Sequence, residues 1–447
     1  MDKQQLKQLV TEQADREREA ILSLGRQIYK NPQTGYREGK ATCMAADALE
    51  ALGLRVERDI AVTGCRACAN PEKKGIKLAV LGELDAVICP EHPDSDPATG
   101  AVHACGHNIQ TAVMYGVAAT LIHSGVLEQL DGSVEFMAVP AEEGLELSYR
   151  AGLREQGLLH YYSGKQELIS KGAFDDVDIC MMAHNFPIAA EGHNIYGMNT
   201  GNGFIHKEMR FVGKQAHAGA APWEGVNALN MATLAINTIQ IQRETFKDSD
   251  HVRVHQIITK GGQMVNAVPA EVCVEGSVRA ASLAAVKDAN AKVNRSVHGA
   301  AVALGGNAEV RDNPGYLPMR PDETLARLFE ENAGRFYSSE RIAHCMESTA
   351  SFDIGDLSHM MPILHGITSG IEGGLHAKDY RIVNEEDAYI TPVKILACTV
   401  IDLLYNHAEQ AKAIKEAFCP ALTKEQYLWT LREMEKTHRY EYLEEMR

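Results

Sequence analysis

Three short apolar runs do most to limit what this chain can fold into: residues 75–82 (GIKLAVLG), 133–140 (SVEFMAVP) and 176–184 (DVDICMMAH), with a fourth far downstream at 360–367 (MMPILHGI). Each has a core of a few residues that is apolar throughout rather than alternating, and each is bounded by turn formers, as expected of a strand buried on both faces. Helical periodicity separates them. In the clearest case Ile109, Val113, Val117 and Leu121 recur every four residues, which predicts a helix with one apolar stripe from just after His107 to about Ser124. Strand and helix in alternation predict an α/β fold, an open and mostly parallel sheet with helices on both faces.

Residues 193–313 break that texture. FIHKEMRFVG alternates like a strand, NALNMATLAINTIQIQRETF reads as a helix, HVRVHQIITKGG and AEVCVEGSVRA as two more alternating strands, LAAVKDANAKVNRSVHGAAVALG as a second helix and AEVRD as a short strand. Strand, helix, strand, strand, helix, strand is the split βαβ order of a ferredoxin-like α+β domain. The expected organisation is a discontinuous catalytic domain, 1–192 with 314–447, and an inserted domain, 193–313. A chain of 447 residues is too long for one hydrophobic core, which fits two domains. Outside these blocks the N-terminal thirty residues read as an amphipathic helix, 59–70 (DIAVTGCRACAN) as a strand, and 423–447 as a surface helix.

A net charge of -16 argues against a nucleic-acid partner, because neutralising phosphates needs clustered Lys and Arg. The N-terminus has neither the apolar core nor the small-residue cleavage site of a secretory signal, and no apolar run approaches the roughly 18 residues that would suggest a membrane span. The ten cysteines are scattered rather than densely spaced, as in reduced thiols of a cytoplasmic protein. The C-x-x-C pair Cys65 and Cys68 has no second pair to complete a zinc tetrad and is expected to pack.

Ligands of open α/β sheets gather beyond the carboxyl ends of the strands. After KLAVLG come Glu83 and Asp85; after SVEFMAVPA come Glu142 and Glu143; after DICMMA comes His184; after PILHGI a glycine-rich loop leads to His376. Cys105 and His107 open the helix that follows the Glu83–Asp85 loop. Together these residues offer the S, N and O donors that zinc or manganese accepts, in number enough for two divalent ions. A cysteine ligand favours zinc. Neighbouring side chains of an extended segment diverge, so one of Glu142 and Glu143 reaches a metal and the other faces a water acidified by the cation, from which it takes a proton for delivery to a leaving amine. Asp85 is expected to orient a ligating imidazole, that of His107, with Glu83 nearby. His103 and His206 are expected to be structural. Two other possibilities stand beside this one: Cys105 as a nucleophile with His107 as its base, and a metal-binding protein without turnover.

The segments GELDA, HACGHN, PAEEG, AHN, GKQAHAGAAPWEGVNA, KGGQMVNAVPAEV and GGLHAKDY occur in this order between about residues 20 and 405. The chain resembles in them the dinuclear metallopeptidase family of aminoacylases, glutamate carboxypeptidases and indole-acetyl-amino-acid hydrolases. That resemblance implies Cys105, His107, Glu143, His184 and His376 as metal ligands and Glu142 as the catalytic base. It also implies that the inserted segment is a lid and dimerisation domain, with His217 stabilising the tetrahedral oxyanion and Asn266 and Arg279 binding the substrate carboxylate or carbonyl. Glu83-Leu84-Asp85-Ala86 and Asn108 replace the D-M-D-A and final Asp of the amidohydrolase branch, and are similar to a sub-branch of aminobenzoyl-glutamate hydrolase subunits and dipeptidases. The difference is expected to bear on substrate choice. The function implied is hydrolysis of an amide bond in a small N-acyl amino acid or dipeptide-like substrate with a free carboxylate, by a homodimer. Chelation separates this chemistry from that of a cysteine nucleophile: exhaustive metal removal should abolish hydrolysis, and activity that survives it points to the thiol.

Overall fold

The computed structural model of the chain describes residues 1–442. The strands Ser133–Val139, Lys77–Glu83, Ile179–Asn185 and Ile363–Thr368 lie side by side in that order, each parallel to the next. Every residue of the first, third and fourth is buried, which is why these stretches are apolar throughout and show no alternation. Four more strands complete an eight-stranded sheet. On one flank Gly64–Ala69 runs antiparallel to Ser133–Val139, with Val56–Ile60 antiparallel beside it; on the other, Ile195–Asn199 is antiparallel to Ile363–Thr368 and Ile342–Met346 parallel to Ile195–Asn199.

The chain divides into two compact units. One comprises Met1–Thr200, Arg320–Glu347 and Asp356–Ala421, and holds this sheet; the other comprises Gly201–Met319, Ser348–Gly355 and the chain from Leu422 on. In the second unit the elements run Gly203–Val212, Ala228–Ile241, Arg253–Lys260, Glu271–Ala280, Leu283–Leu304 and Asn307–Pro314. Their antiparallel sheet has the order Arg253–Lys260, Glu271–Ala280, Gly203–Val212, Asn307–Pro314, then Lys436–Tyr440. Val272, Val274 and Val278 face Met209 and Phe211 in a core closed by Ala232, Ala235, Val293 and Val297 of the two helices.

The helix His107–His123 positions the chemistry of the first unit. All of its residues from His107 to Leu121 are buried, so the single stripe expected from its four-residue period is in fact burial on every side. Ala112, Gly116, Ala118 and Ala119 make this possible, because small side chains let the helix approach the strand Lys77–Glu83 and the helices Arg18–Tyr29 and Thr391–Leu404 closely. Where the helix crosses the strand Lys77–Glu83, a Cβ on Gly82 would lie 2.7 Å from the Cα of Thr111.

Three segments differ from their sequence expectation. Residues 59–70 are not one strand but the end of one arm, the turn and the second arm of a hairpin, with Asp59, Ala61 and Val62 in left-handed backbone conformations. Cys65 and Cys68 lie three apart on the arm Gly64–Ala69 and point to opposite faces, one buried and one half-buried, which leaves no shared site. The N-terminal helix is two helices, Lys3–Arg16, opened by an Asp2–Gln5 capping box, and Arg18–Tyr29. The C-terminal stretch is a helix only over Lys424–Met434, after which Lys436–Tyr440 becomes a strand paired with Asn307–Pro314. It belongs to the second unit rather than to the catalytic one, and its last residues, 443–447, lie outside the described residues. Local periodicity could not show this, since a tail rich in alternating charges takes the conformation that a free sheet edge offers it. Among the described residues no single helix is long and apolar enough to cross a membrane.

Candidate functional site

The carboxyl ends of the parallel strands deliver their polar residues to one place. Glu83 ends Lys77–Glu83 and Asp85 follows it; Glu142 and Glu143 come three and four residues after Val139; His184 is the penultimate residue of Ile179–Asn185. Gly106, at φ 88°, turns the chain between Cys105 and the helix that starts at His107, a conformation that costs a glycine little. Ala141 and His376 take left-handed conformations without that freedom, at φ 54° and 60°. Such strain collects at functional sites, where surrounding contacts hold it in place. Here the Ala141 N–H donates to Glu38 Oε1 at 2.8 Å and the His376 N–H to the Ala104 carbonyl at 2.8 Å.

Asp85 organises the cluster. Its completely buried carboxylate accepts the backbone N–H of Glu142 at 3.1 Å on one oxygen and that of Glu143 at 2.8 Å on the other. His107 Nδ1 lies 2.8 Å from the Asp85 carbonyl and 3.2 Å from its Oδ1. Two acceptors require Nδ1 to carry a proton, and the ring held in this way aims Nε2 into the site. That atom is buried and makes no well-formed hydrogen bond. Around it stand Glu83 Oε2 at 3.2 Å and Glu142 Oε2 at 3.9 Å. Cys105 Sγ lies 3.7 Å from His184 Nε2, whose ring is fixed through Nδ1 to the Asn185 carbonyl at 2.9 Å. His376 Nε2 lies 2.9 Å from Glu143 Oε1.

Three groups place one ligand atom per residue within 4.8 Å of one another: Cys105, His107 and His184; Cys105, Glu143 and His376; and Glu83, His107 and Glu142. The first two share the Cys105 sulfur. A thiolate bridging two sets of imidazole and carboxylate donors suits a pair of divalent cations, and an orphaned imidazole nitrogen aimed at the same point fits that use. The electrostatics agree. Burial alone would raise the Cys105 thiol, but His107, with contacts from His184 and His376, holds it well below its ordinary range. Burial, then the thiolate, pushes the Glu143 carboxyl up to about 7. His376 rises to about 11 because Cys105 and Glu143 together outweigh its burial. So much negative charge in a dry site drives imidazoles toward their cationic form, and the same field favours a bound cation.

The remaining sequence candidates fall in the second unit, which brings two of them together. His217 and Ala267 form an isolated bridge, and the Ala218 N–H donates to the Asn266 carbonyl at 2.9 Å, so His217 and Asn266 are neighbours on an exposed turn. His217 Nδ1 accepts the N–H groups of Gly219 at 3.1 Å and Ala220 at 3.0 Å, which leaves Nε2 as the donor. Arg279 lies on Glu271–Ala280, stacked over the Phe204 ring at 5.2 Å and donating to Ser351 Oγ at 3.2 Å. His103 is fully buried with neither ring nitrogen hydrogen-bonded, and burial then His107 lower it to about 3; burial also lowers His206.

Asn108 is the second residue of the helix His107–His123. Its side chain is buried away from solvent and donates to the Gly25 carbonyl at 3.3 Å and Tyr389 Oη at 3.0 Å. Its local partners are structural. Sequence reasoning also passed over four residues. Lys165, fully buried, places its Nζ 2.6 Å from Glu83 Oε1. Glu38, also fully buried, anchors Ala141 and is raised to about 7 by burial, then by Asp85. Arg150 donates to the carbonyls of Glu143 and, at 2.7 Å, of Tyr162. Asn185 ties its own strand end to the Ser369 carbonyl at 2.8 Å and the Ala388 carbonyl at 3.3 Å. Charged residues are read as solvated by default, and nothing local in the sequence marks these as buried.

The chain is similar to known proteins over most of its length. A family model described as peptidase family M20/M25/M40 matches residues 79–402. Xaa-Arg dipeptidase of Mus musculus is 28% identical over 456 residues, covering 95% of this chain and 95% of its own. A p-aminobenzoyl-glutamate hydrolase subunit of Escherichia coli K12 is 26% identical, covering 89% and 80%. Among solved structures, a dinuclear metal binding peptidase of the M20 family from Bacillus subtilis superposes with a TM-score of 0.66 at 20% identity, covering 87% of this chain and 99% of its own. Replacing Asp85 by Asn keeps the shape but weakens its hold on His107 and the two glutamate N–H groups. Asp85→Asn should lower divalent-metal affinity by about ten- to hundredfold, as is typical when a partner of a ligating imidazole is lost, with the fold intact by circular dichroism; calorimetric titration checks this.

Proposed function

The chain belongs to peptidase family M20/M25/M40, a hydrolase of amide bonds, and from that premise we propose that it cleaves a small N-acyl amino acid or dipeptide-like substrate bearing a free carboxylate. The observation that carries this is the sharing of Cys105 between the His107/His184 and Glu143/His376 groups. Two cations would then lie side by side, in keeping with the dinuclear metal binding peptidase of Bacillus subtilis. Cys105, His107, Glu143, His184 and His376 would hold the ions, zinc in preference to manganese because of the thiolate. When bound, two such cations lower the pKa of water and polarise a carbonyl oxygen.

The protein's own groups supply the rest. Glu142 is fixed through its N–H to Asp85, and its carboxylate accepts a proton from the attacking water and returns it to the leaving amine. His217, with Nδ1 occupied by two N–H groups, presents an Nε2–H suited to the developing oxyanion. Asn266 and Arg279 bind the substrate carboxylate or carbonyl. The named relatives support this substrate class: besides the dipeptidase and the aminobenzoyl-glutamate hydrolase they include an N-acetyl-L-cysteine deacetylase of Bacillus subtilis and an N-acyl-L-amino acid amidohydrolase of Geobacillus stearothermophilus.

A panel of dipeptides, including ones ending in arginine, N-acyl amino acids and aminobenzoyl-glutamate, assayed after reconstitution with Zn²⁺ or Mn²⁺, tests the reaction. Hydrolysis of at least one carboxylate-bearing amide is expected, and hydrolysis confined to amides without a carboxylate would refute the substrate class. Glu142→Gln should retain its metal and lose about 10²- to 10⁴-fold in kcat, the usual worth of a general base.

A homodimer formed through the second unit completes the proposal. The strand Arg253–Lys260 has one neighbour in its sheet and leaves Ile257 54% and Ile258 44% exposed, while the edge of Asn307–Pro314 is covered by Lys436–Tyr440. An apolar open edge pairs readily with a second copy across a two-fold axis. Ile257→Lys should convert the dimer to monomers in sedimentation; a wild type already monomeric at working concentration would end this part.

A further inference from the structure

A cavity of about 530 Å³ opens in the second unit between the helix Leu283–Leu304 and the C-terminal segment, and the chemistry above makes no use of it. Small-molecule sites commonly enclose roughly 300–1,000 Å³. One wall is helical: Lys287, Asn290, Asn294 and His298 recur three or four residues apart, with Arg295 beside them, and so share a face of Leu283–Leu304, while Ala289, Val293 and Val297 turn to the apolar core. The facing wall comes from Trp429 and Met434 of the helix Lys424–Met434 and from Lys436, His438 and Tyr440, alternate residues on one face of the last strand. Beneath them lies a closed polar network. The buried Lys207 donates to Asn290 Oδ1 at 2.6 Å, to Asn294 Oδ1 at 2.7 Å and to Asp312, whose Oδ2 accepts from the same two amides at 2.7 and 2.9 Å.

The charges balance at the floor but not at the rim. Asp312 is spent on Lys207, and Glu433 pairs with Lys436 at 2.9 Å. Lys287 and Arg295 enter no ion pair among the described residues. In a chain of net charge -16, two cations left over in one cavity select for an anion. Rings line the same space. Tyr440 stacks on His298 with centroids 4.4 Å apart and planes 11° apart, and the Trp429 indole at the opposite wall is 58% exposed. An uncovered indole near a fixed ring pair offers stacking surface to a planar group. We propose that this cavity is a binding site for a small aromatic acid, its ring against Trp429 and Tyr440 and its anionic group on Arg295 and Lys287. Such a ligand touches both the helix Leu283–Leu304 and the C-terminal segment, so its binding holds the strand Lys436–Tyr440 on the edge of Asn307–Pro314.

The probe is naphthoate, titrated calorimetrically into the full chain, against naphthylmethanol, which lacks the charge, and decalincarboxylate, which lacks the aromatic ring. One equivalent of naphthoate per chain should bind, about tenfold or more tighter than either control, as expected when a charged hydrogen bond or a stacking contact is lost. The double variant Lys287→Met with Arg295→Met, and separately Trp429→Ala, should each weaken naphthoate by a similar factor, with the fold intact by circular dichroism. Saturation with naphthoate should also slow hydrogen exchange at the amides of residues 436–440. Absence of binding, equal binding of either control, or binding that survives both cavity variants undiminished overturns the inference, and none of these results touches the proposed hydrolysis.

Discussion

One buried carboxylate sets the geometry on which the centre depends. Asp85 has two oxygens and shares them among three donors that come from different parts of the chain: the amides of Glu142 and Glu143 at the end of one strand, and the His107 ring at the start of the central helix. Because the two amides bind opposite oxygens, the peptide between them is locked and the neighbouring side chains must leave in different directions. Because the ring is held by its Nδ1, its Nε2 can only point inward. A single anion thus fixes the tautomer of one group and the divergence of two others, and its own burial is tolerable only because hydrogen bonds replace the water it has lost.

That requirement shapes what surrounds it. Glu38 stands close enough to Asp85 to be raised by it, yet both its oxygens are used, one on the Ala141 amide and one on Thr63. Arg150 reaches the Glu143 carbonyl from the other side. Ala141 is held in a conformation it would not choose, with buried groups on either side. Rigid support of this sort places a base or ligand to within a fraction of an ångström, which loops alone do not achieve.

The sheet and the residues gathered at its carboxyl edge were legible because each is a local property. An apolar run is apolar whether or not its partners are known, and Cys105, His107, Glu143, His184 and His376 follow such runs or open the helix between them. Lys165, Glu38 and Arg150 were not legible, since a buried charge has the same letter as an exposed one and its burial depends on what packs against it from far along the chain. For the same reason the letter at Asn108 does not disclose its partners, a helix carbonyl and Tyr389. The tail failed as a helix because strand pairing is decided by the partner's free edge and not by the tail's own pattern.

That tail has a consequence for how the molecule is made. The sheet of the second unit opens at Gly203 and closes with Lys436–Tyr440, at the far end of the sequence. During synthesis four of its strands are available long before the fifth, and the edge of Asn307–Pro314 stays bare while the segments Arg320–Glu347 and Asp356–Ala421 are still being added to the first unit. Until residues 436–440 have left the ribosome, a nascent copy carries an open strand edge that another nascent copy could occupy. The strand Lys436–Tyr440 is thus made after every residue of the clusters around Cys105, His376 included.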